Sequence, residues 1–224
     1  MKTIIALLLS VVVAIAQADF STLLFLAPPA SGATTLLSET FEGAGYQVAT
    51  TETGTGIDED DATSSPQGSE NLKVPQSGGG YAYPTAGWTA NAVITVTGWI
   101  RVDTVGANNQ FLEIDAAPNG TPRGYLYTAA SGVVTIYGNG AGSVSASTTA
   151  TMSVNTWYKY QAKWNKTTGV YSIEFNVSGT FNDSGTDYAT ASDGDTGTTI
   201  GGLRYDVTGA SYTTFHDAVV VTTP

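Results

Sequence analysis

Residues Val93 to Asp103 read VITVTGWIRVD, and apolar and polar side chains alternate along this stretch. Successive side chains of a β-strand point to opposite faces, so the alternation assigns each residue to a face. One face carries Ile94, Val96, Ile100 and Val102. The other carries Thr95, Thr97, Trp99 and Arg101. The stretch therefore predicts a strand with one face in a core and a more polar opposite face.

A second alternation runs from Val170 to Val177. It places Tyr171, Ile173, Phe175 and Val177 on one face, against Ser172, Glu174 and Asn176. Residues Trp157 to Trp164 precede it, and the loop Asn165-Lys166-Thr167-Thr168-Gly169 lies between the two stretches. A short loop that ends in glycine joins antiparallel neighbours, so we expect a hairpin here.

The rest of the chain also reads as short strands between glycine-rich stretches, without the 3.6-residue period of an amphipathic helix. Further strands are predicted at Leu36–Phe41, Glu70–Val74, Phe111–Ile114, Tyr125–Thr128, Val133–Tyr137, Thr198–Leu203 and Phe215–Thr222. Many short strands without helices predict an all-β sandwich or barrel, because an antiparallel sheet must bury one face against another layer.

The composition limits the classes of function. The 224 residues suit one β domain, with 42% hydrophobic and 12% charged residues and 26 glycines. A formal charge of −11 disfavours binding to nucleic acid or an anionic membrane surface. The absence of cysteine excludes disulfides, thiolate metal sites and cysteine nucleophiles. His216 is the one histidine.

The N-terminus has the features of an export signal. Lys2 precedes an apolar run from Ile4 to Ala16, and small residues follow around Ala18. We predict a signal peptide over residues 1–18, a tether over 19–35 and one β domain over 36–224. The alternative is a membrane anchor, but the run is shorter than the roughly 20 apolar residues of a spanning helix. We expect no stable membrane span after cleavage, and a secreted or cell-surface location.

The order of several segments resembles the laminin G-like branch of the concanavalin A-like superfamily. In the first half these are Leu36–Gly43, Gly68–Val74 and Val93–Ile100. In the second half they are Asn155–Tyr158, Trp164 with its Thr-Gly turn, and Phe215–Val220. The resemblance covers about residues 36 to 222 and implies an antiparallel jelly-roll β-sandwich. Because the superfamily contains lectins, adhesion domains, hydrolases, lyases and phage surface components, the function must be argued from sites.

The resemblance also implies one structural calcium ion. In similar jelly-roll modules, a glutamate after the first strand and an aspartate in the last strand hold this ion, and Glu42 and Asp217 match those positions. Two carboxylates do not fill six to eight positions, so carbonyl groups and water must contribute. The alternative is a pair of ordinary surface acids. The spacing of Asp58-Glu59-Asp60-Asp61 is not that of a calcium loop and predicts a solvated loop.

A hydrolase motif is incomplete in this chain. Glu113-Ile114-Asp115-Ala116-Ala117-Pro118 resembles the catalytic strand of the β-glucanases, but Pro118 stands where the second glutamate belongs. Retaining hydrolysis needs two carboxyl groups about 5 to 5.5 Å apart. We therefore expect Glu113 and Asp115 to form a solvated edge or polar patch, His216 to be structural, and no residue to be catalytic.

The aromatic residues are candidates for sugar binding. A pyranose packs its apolar side on a flat aromatic face and offers hydroxyl groups to amide or carboxylate partners. The candidate carbohydrate-binding residues are Trp99, Arg101, Trp88, Tyr81, Tyr83, Tyr125 and Tyr127. Core packing is the alternative for each aromatic side chain, and Tyr81, Tyr83 and Trp88 are placed in or beside glycine-rich loops.

These observations favour an exported, non-catalytic carbohydrate-binding or adhesion module that recognises a glycan or another cell-surface ligand. The alternative is a structural component that decorates a phage particle or a cell surface, with protein partners in a larger assembly and a location on the virion surface. A glycoside hydrolase is the third hypothesis.

Overall fold

The computed structural model describes residues 32–43, 46–63, 65–75, 80–106, 109–139, 144–192, 196–208 and 212–224. The predicted signal peptide and the tether up to residue 31 lie outside the described residues. Thr34–Pro224 form one compact unit. Among the described residues, no helix has the length and apolar character needed to cross a membrane.

The described residues contain fifteen strands. In chain order they are β1 (Thr34–Glu39), β2 (Thr50–Thr53), β3 (Asp58–Asp61), β4 (Asn71–Pro75), β5 (Tyr81–Pro84), β6 (Val93–Val102), β7 (Asn109–Asp115), β8 (Pro122–Thr128), β9 (Val133–Gly138), β10 (Val144–Thr151), β11 (Tyr158–Asn165), β12 (Val170–Asn176), β13 (Tyr188–Ser192), β14 (Gly202–Thr208) and β15 (Thr213–Thr223). All pairings between them are antiparallel.

Eight of these strands form sheet A, in the order β13-β12-β11-β6-β15-β4-β3, with β1 also paired to β15. The long strand β15 pairs with three other strands and so joins β1 to the sheet. One side of β15 pairs with β6. Its other side pairs with β4 over Thr213–His216 and with β1 over Val219–Thr223. The other seven strands form sheet B, in the order β10-β9-β8-β7-β14-β5-β2.

The two sheets pack face to face as a sandwich. Aromatic rings of sheet B meet those of sheet A in the core. The Phe111 and Tyr160 rings lie 6.2 Å apart, and the Tyr205 and His216 rings lie 5.1 Å apart. Apolar side chains from both inner faces surround them with almost no exposure. Burying each large apolar side chain contributes about 1.5–3 kcal/mol, so this core is the main source of stability.

The predicted all-β antiparallel sandwich is confirmed, and the strictest alternations gave the most accurate strands. Strand β6 buries Ile94, Val96, Ile100 and Val102 as predicted. The predicted hairpin is β11 and β12, and its loop ends at Gly169 with φ of 72°.

Several local predictions are corrected. The predicted loop at Asp58–Asp61 is strand β3, and Tyr81 and Tyr83, predicted in or beside glycine-rich loops, lie in strand β5. The strand predicted over Thr198–Leu203 begins at Gly202. Strand β12 is buried on both faces, because Glu174 on its polar face accepts hydrogen bonds from the backbone N–H groups of residues 182 and 183.

Candidate functional site

The outward face of sheet B carries a group of tyrosines, which we call the tyrosine face. They alternate along their strands with core residues such as Ala82, Leu126 and Ile136, and they therefore point away from sheet A. The members are Tyr81 and Tyr83 on β5, Tyr125 and Tyr127 on β8, and Tyr137 on β9. Each of the five is half-buried, so each leaves part of its ring to solvent.

The tyrosine rings form two groups. Tyr125 stacks on Tyr137, its cross-strand partner, with ring centres 4.4 Å apart and 18° between the ring planes. The Tyr127 ring lies 5.8 Å from that of Tyr125. Burial, followed by the neighbouring Tyr137, raises the pKa of the Tyr125 phenol to about 12. On β5, Tyr81 and Tyr83 form the second group, with ring centres 6.2 Å apart.

An ion pair lies between the two tyrosine groups. Arg204 on β14 is opposite Glu113 on β7, and its guanidinium donates to Glu113 Oε1. Gln110 donates to Glu113 Oε2 at 2.7 Å, and Arg204 Nη1 donates to Asn119 Oδ1 at 3.2 Å. The Arg204 guanidinium also lies 5.1 Å from the centre of the Tyr81 ring. The ion pair is therefore fixed by neighbours on both sides.

The position of Gln110 depends on an irregularity in the sheet. Residues 110 and 113 would point to opposite faces of a regular strand, because side chains alternate. The register between β7 and β8 shifts between Gln110 and Leu112, which brings the side chain of Gln110 to Glu113. A bulge of this kind redirects a side chain, and alternation in the sequence does not reveal it.

The environment of Glu113 and Asp115 corrects the predicted solvated edge. Both residues are buried in β7, which lies between β8 and β14 rather than at an edge. Each carboxylate oxygen of Glu113 already accepts a hydrogen bond, one from Arg204 and one from Gln110. Glu113 is therefore the fixed acceptor of this ion pair and of Gln110.

Trp99 and Arg101 lie on the other sheet. They share the outward face of β6 in sheet A, so the fold does not bring them to the tyrosine face. The Arg101 guanidinium packs 3.9 Å from the centre of the Phe215 ring, and only 9% of Arg101 is exposed. Burial lowers the pKa of Arg101. Arg101 therefore serves as a packing group on sheet A.

Trp88 lies in a third place, the segment between β5 and β6. Its backbone N–H donates to Gly201 and its indole Nε1 donates to the Ile200 carbonyl at 3.1 Å. These bonds tie the segment to the chain just before β14. The predicted carbohydrate-binding residues thus divide among three locations, and four of the seven lie together on the tyrosine face.

Glu42 and Asp217, the predicted calcium ligands, hold one loop. Glu42 accepts the backbone N–H groups of Ser69 and Glu70, at 2.9 and 3.2 Å. Asp217 Oδ2 accepts from the Ser65 hydroxyl and from the Gln67 N–H. Burial, and then the charge of Glu42, raise the pKa of Asp217 to about 7.

One oxygen of this pair makes no hydrogen bond. Asp217 Oδ1 is buried and has no hydrogen-bond partner among the described residues. No group of three or more His, Cys, Asp or Glu side chains that could hold a metal ion occurs within those residues. A cation here would therefore need backbone carbonyl groups and water besides the two carboxylates. Next to Asp217, His216 faces the core, and burial lowers its pKa to about 3.

The sequence analysis did not identify Arg204 and Tyr137 as site residues. Arg204 meets Glu113 only because β14 inserts beside β7, and 91 positions separate the two residues. The stretch Val133 to Tyr137 predicted a strand, but the alignment of Tyr137 with Tyr125 depends on the register between β8 and β9. Strand order and register are long-range properties, and a one-residue slip would reverse the face.

No family model and no curated protein sequence matches the chain. Solved structures with a similar fold include the binding domain of botulinum neurotoxin DC, in complexes with SialylT and with rat synaptotagmin II. These match with a TM-score of 0.57 and 10% and 11% identity, over 84% of this chain and 47% of each of those chains. Another similar structure is of botulinum neurotoxin type C, whose cell entry is described as dependent on interaction with two ganglioside molecules. It matches with a TM-score of 0.57 and 11% identity, over 84% of this chain and 47% of that chain.

These likenesses show the fold. The chain spans about half the length of the structures it matches. They agree with the predicted all-β sandwich, while the narrower assignment to the laminin G-like branch stays a prediction.

Proposed function

We propose that this protein is an exported, non-catalytic module that binds a glycan on the tyrosine face of sheet B. The observation that carries the proposal is the arrangement of five half-buried tyrosines on both sides of the Glu113–Arg204 ion pair. Flat rings suit the apolar side of a pyranose, and fixed polar groups suit its hydroxyls.

The similar solved structures support binding rather than catalysis. Two of them are binding domains of botulinum neurotoxin DC, in complex with SialylT and with rat synaptotagmin II, and the third concerns the interaction of botulinum neurotoxin type C with two ganglioside molecules. The chemistry of Glu113 points the same way, because both of its oxygens are already engaged and Pro118 replaces the second acid of the hydrolase motif.

The test is binding of the purified full chain to a broad glycan and polysaccharide array. Tyr125→Ala and Tyr81→Ala remove one ring from each tyrosine group and are expected to weaken binding. Trp99→Ala is the control, since it removes a larger ring from the outward face of sheet A. Thermal unfolding of each variant confirms that it is folded.

Two results would contradict the proposal. Loss of binding in Trp99→Ala alone would move the site to sheet A. A blank array from folded protein would remove the glycan proposal and favour a structural or protein-binding role on a particle or cell surface.

We also propose that Glu42 and Asp217 hold a structural calcium ion. The buried, unpartnered Oδ1 of Asp217 supports this, because a buried carboxylate oxygen without a donor is costly and a cation would satisfy it. Calcium is expected to raise the melting temperature of the wild type and to leave that of Asp217→Asn unchanged. An equal shift in both proteins would contradict the site.

Export and a secreted or cell-surface location form the third part of the proposal, supported by the apolar run that follows Lys2. Expression of the full chain in a bacterial host, followed by N-terminal sequencing of the extracytoplasmic protein, tests it. We expect cleavage near Ala18, and retention of Met1 in the mature protein would contradict it.

A further inference from the structure

We infer that the ligand of the tyrosine face is an extended, neutral oligosaccharide that lies across the strands of sheet B. The inference rests on the proposed function and adds the length, the direction and the charge of the ligand. It follows from three features of the face: its span, the division of its tyrosines into two groups, and its compensated charge.

The face is too wide for a single sugar. Its outer strands, β5 and β9, are separated by β14, β7 and β8, which makes four steps between neighbouring strands. Neighbouring strands lie about 4.8 Å apart, so the tyrosines at the two ends are separated by about 19 Å. A pyranose ring is about as wide as one such step, so contact with both tyrosine groups requires a chain of several sugars.

The aromatic surface is divided into two parts rather than concentrated in one pocket. Tyr81 and Tyr83 lie at one end, and Tyr125, Tyr127 and Tyr137 lie at the other. A ligand that binds by one terminal sugar would use one group and leave the other without a role. A chain across the strands stacks on both groups and places its middle sugars over the polar centre.

The polar centre carries compensated charge. The negative charge of Glu113 is paired with the guanidinium of Arg204, and Gln110 and Asn119 hold the pair as uncharged partners. Arg123 is a further cation on the outward face of β8. Against a formal charge of −11 for the whole chain, one added cation does not attract a polyanion. Glu113 and Gln110 are buried, so the exposed Asn119 amide and the half-buried Arg204 guanidinium are the groups of this centre that can meet the hydroxyl groups of a neutral sugar.

The experiment measures affinity against ligand length by titration calorimetry with the full chain. The probes are cello-, laminari- and manno-oligosaccharides of one to six sugars, with oligogalacturonides of the same lengths as anionic counterparts. In at least one neutral series, affinity is expected to rise with each sugar until both tyrosine groups are covered, and then to level off. The oligogalacturonides are expected to bind more weakly at every length.

Variants separate the two tyrosine groups. Tyr81→Ala and Tyr137→Ala are each expected to weaken binding of the six-sugar ligand by roughly three- to tenfold, the loss of one aromatic contact. Trp99→Ala removes an aromatic ring from the outward face of sheet A and is the matched control, expected to retain wild-type affinity. The variants should also change how affinity depends on ligand length. When either tyrosine group is disrupted, affinity is expected to level off at a smaller number of sugars than in the wild type.

The outcomes distinguish this inference from the proposed function. Binding that is as tight for one sugar as for six, or that depends on one tyrosine group alone, would overturn the extended ligand while leaving a glycan-binding module. Tighter binding of the oligogalacturonides would overturn its neutrality. The absence of binding to every sugar would overturn both the inference and the proposed function.

Discussion

Two tyrosine hydroxyls are buried in the core without a hydrogen bond. Tyr160 and Tyr205 have almost no exposed surface, and their hydroxyl groups have no partner among the described residues. Burial raises the pKa of both phenols above the ordinary value of 10. A buried polar group without a partner costs about 1–3 kcal/mol, so these hydroxyls lower stability.

Tyr160→Phe is therefore expected to be neutral or stabilising by about 1 kcal/mol near pH 7. The difference in stability between Tyr160→Phe and the wild type should increase at alkaline pH. A phenol whose pKa is raised in the folded state contributes stability below pH 10 that is lost as the pH rises further, because the unfolded state ionises first. At about pH 11 the wild type loses about 1.4 kcal/mol from this group, and the variant loses none of it. Urea unfolding at both pH values checks this, and an equal difference at both would contradict it.

The proposed binding residues show what local sequence can and cannot reveal. Tyr125 and Tyr127 were identified because an aromatic pair at spacing two must share a face of a strand. Arg204 was not, since an arginine after glycine and leucine has no local signal for a partner 91 positions away. Trp99 and Arg101 were placed on the correct face of β6, but the sequence did not show that this face belongs to the sheet opposite the tyrosines.

At the scale of elements, strands with strict alternation were predictable and strands held by their neighbours were not. Strand β10 reads VSASTTAT, and its alternate residues Val144, Ala146 and Ala150 pack against the core. These side chains are small and lie between Ser and Thr, so the apolar signal in the sequence is weak, and pairing with β9 orders the strand. Strand β3 consists of four acids and was predicted as a loop. Its backbone is ordered by pairing with β4, and Asp61 forms an ion pair with Lys73 at 3.4 Å.

We expect the acidic sequence of β3 to protect the edge of sheet A. An edge strand offers unpaired backbone groups to other chains, and charge on the edge prevents that pairing. Neutralising three of the acids, in Asp58→Asn with Glu59→Gln and Asp60→Asn, is expected to cause self-association, measured by light scattering against protein concentration.

Asp60→Lys is the control for this edge, because it changes the charge but keeps a charged side chain on an exposed position. Its scattering mass is expected to stay equal to that of the wild type at concentrations where the neutral variant associates. Association of both variants, or of neither, would show that charge on β3 does not protect the edge.

At the scale of the whole molecule, buried carboxylates hold the loops of a chain that has no cysteine. Glu39 accepts the N–H groups of Phe41, Gln47 and Val48. Glu174 accepts those of Asn182 and Asp183. Glu42 and Asp217 do the same for the loop before β4. In a chain without disulfides, hydrogen bonds from loop N–H groups to a charged carboxylate contribute about 1.5–3 kcal/mol each.

Glu39→Gln and Glu174→Gln test this role, because an amide places an N–H group against backbone donors. Each is expected to lower the free energy of unfolding by about 2–3 kcal/mol in urea titrations. Strands β1 and β12 are separated by β15, β6 and β11, so the two sites lie at least about 19 Å apart and their effects should add within about 0.5 kcal/mol. Glu52→Gln, at an exposed position, changes the charge equally and is expected to alter stability by less than about 0.5 kcal/mol. If the double variant lost no more stability than one single variant, the loops would unfold as one unit, and the carboxylates would not be independent anchors.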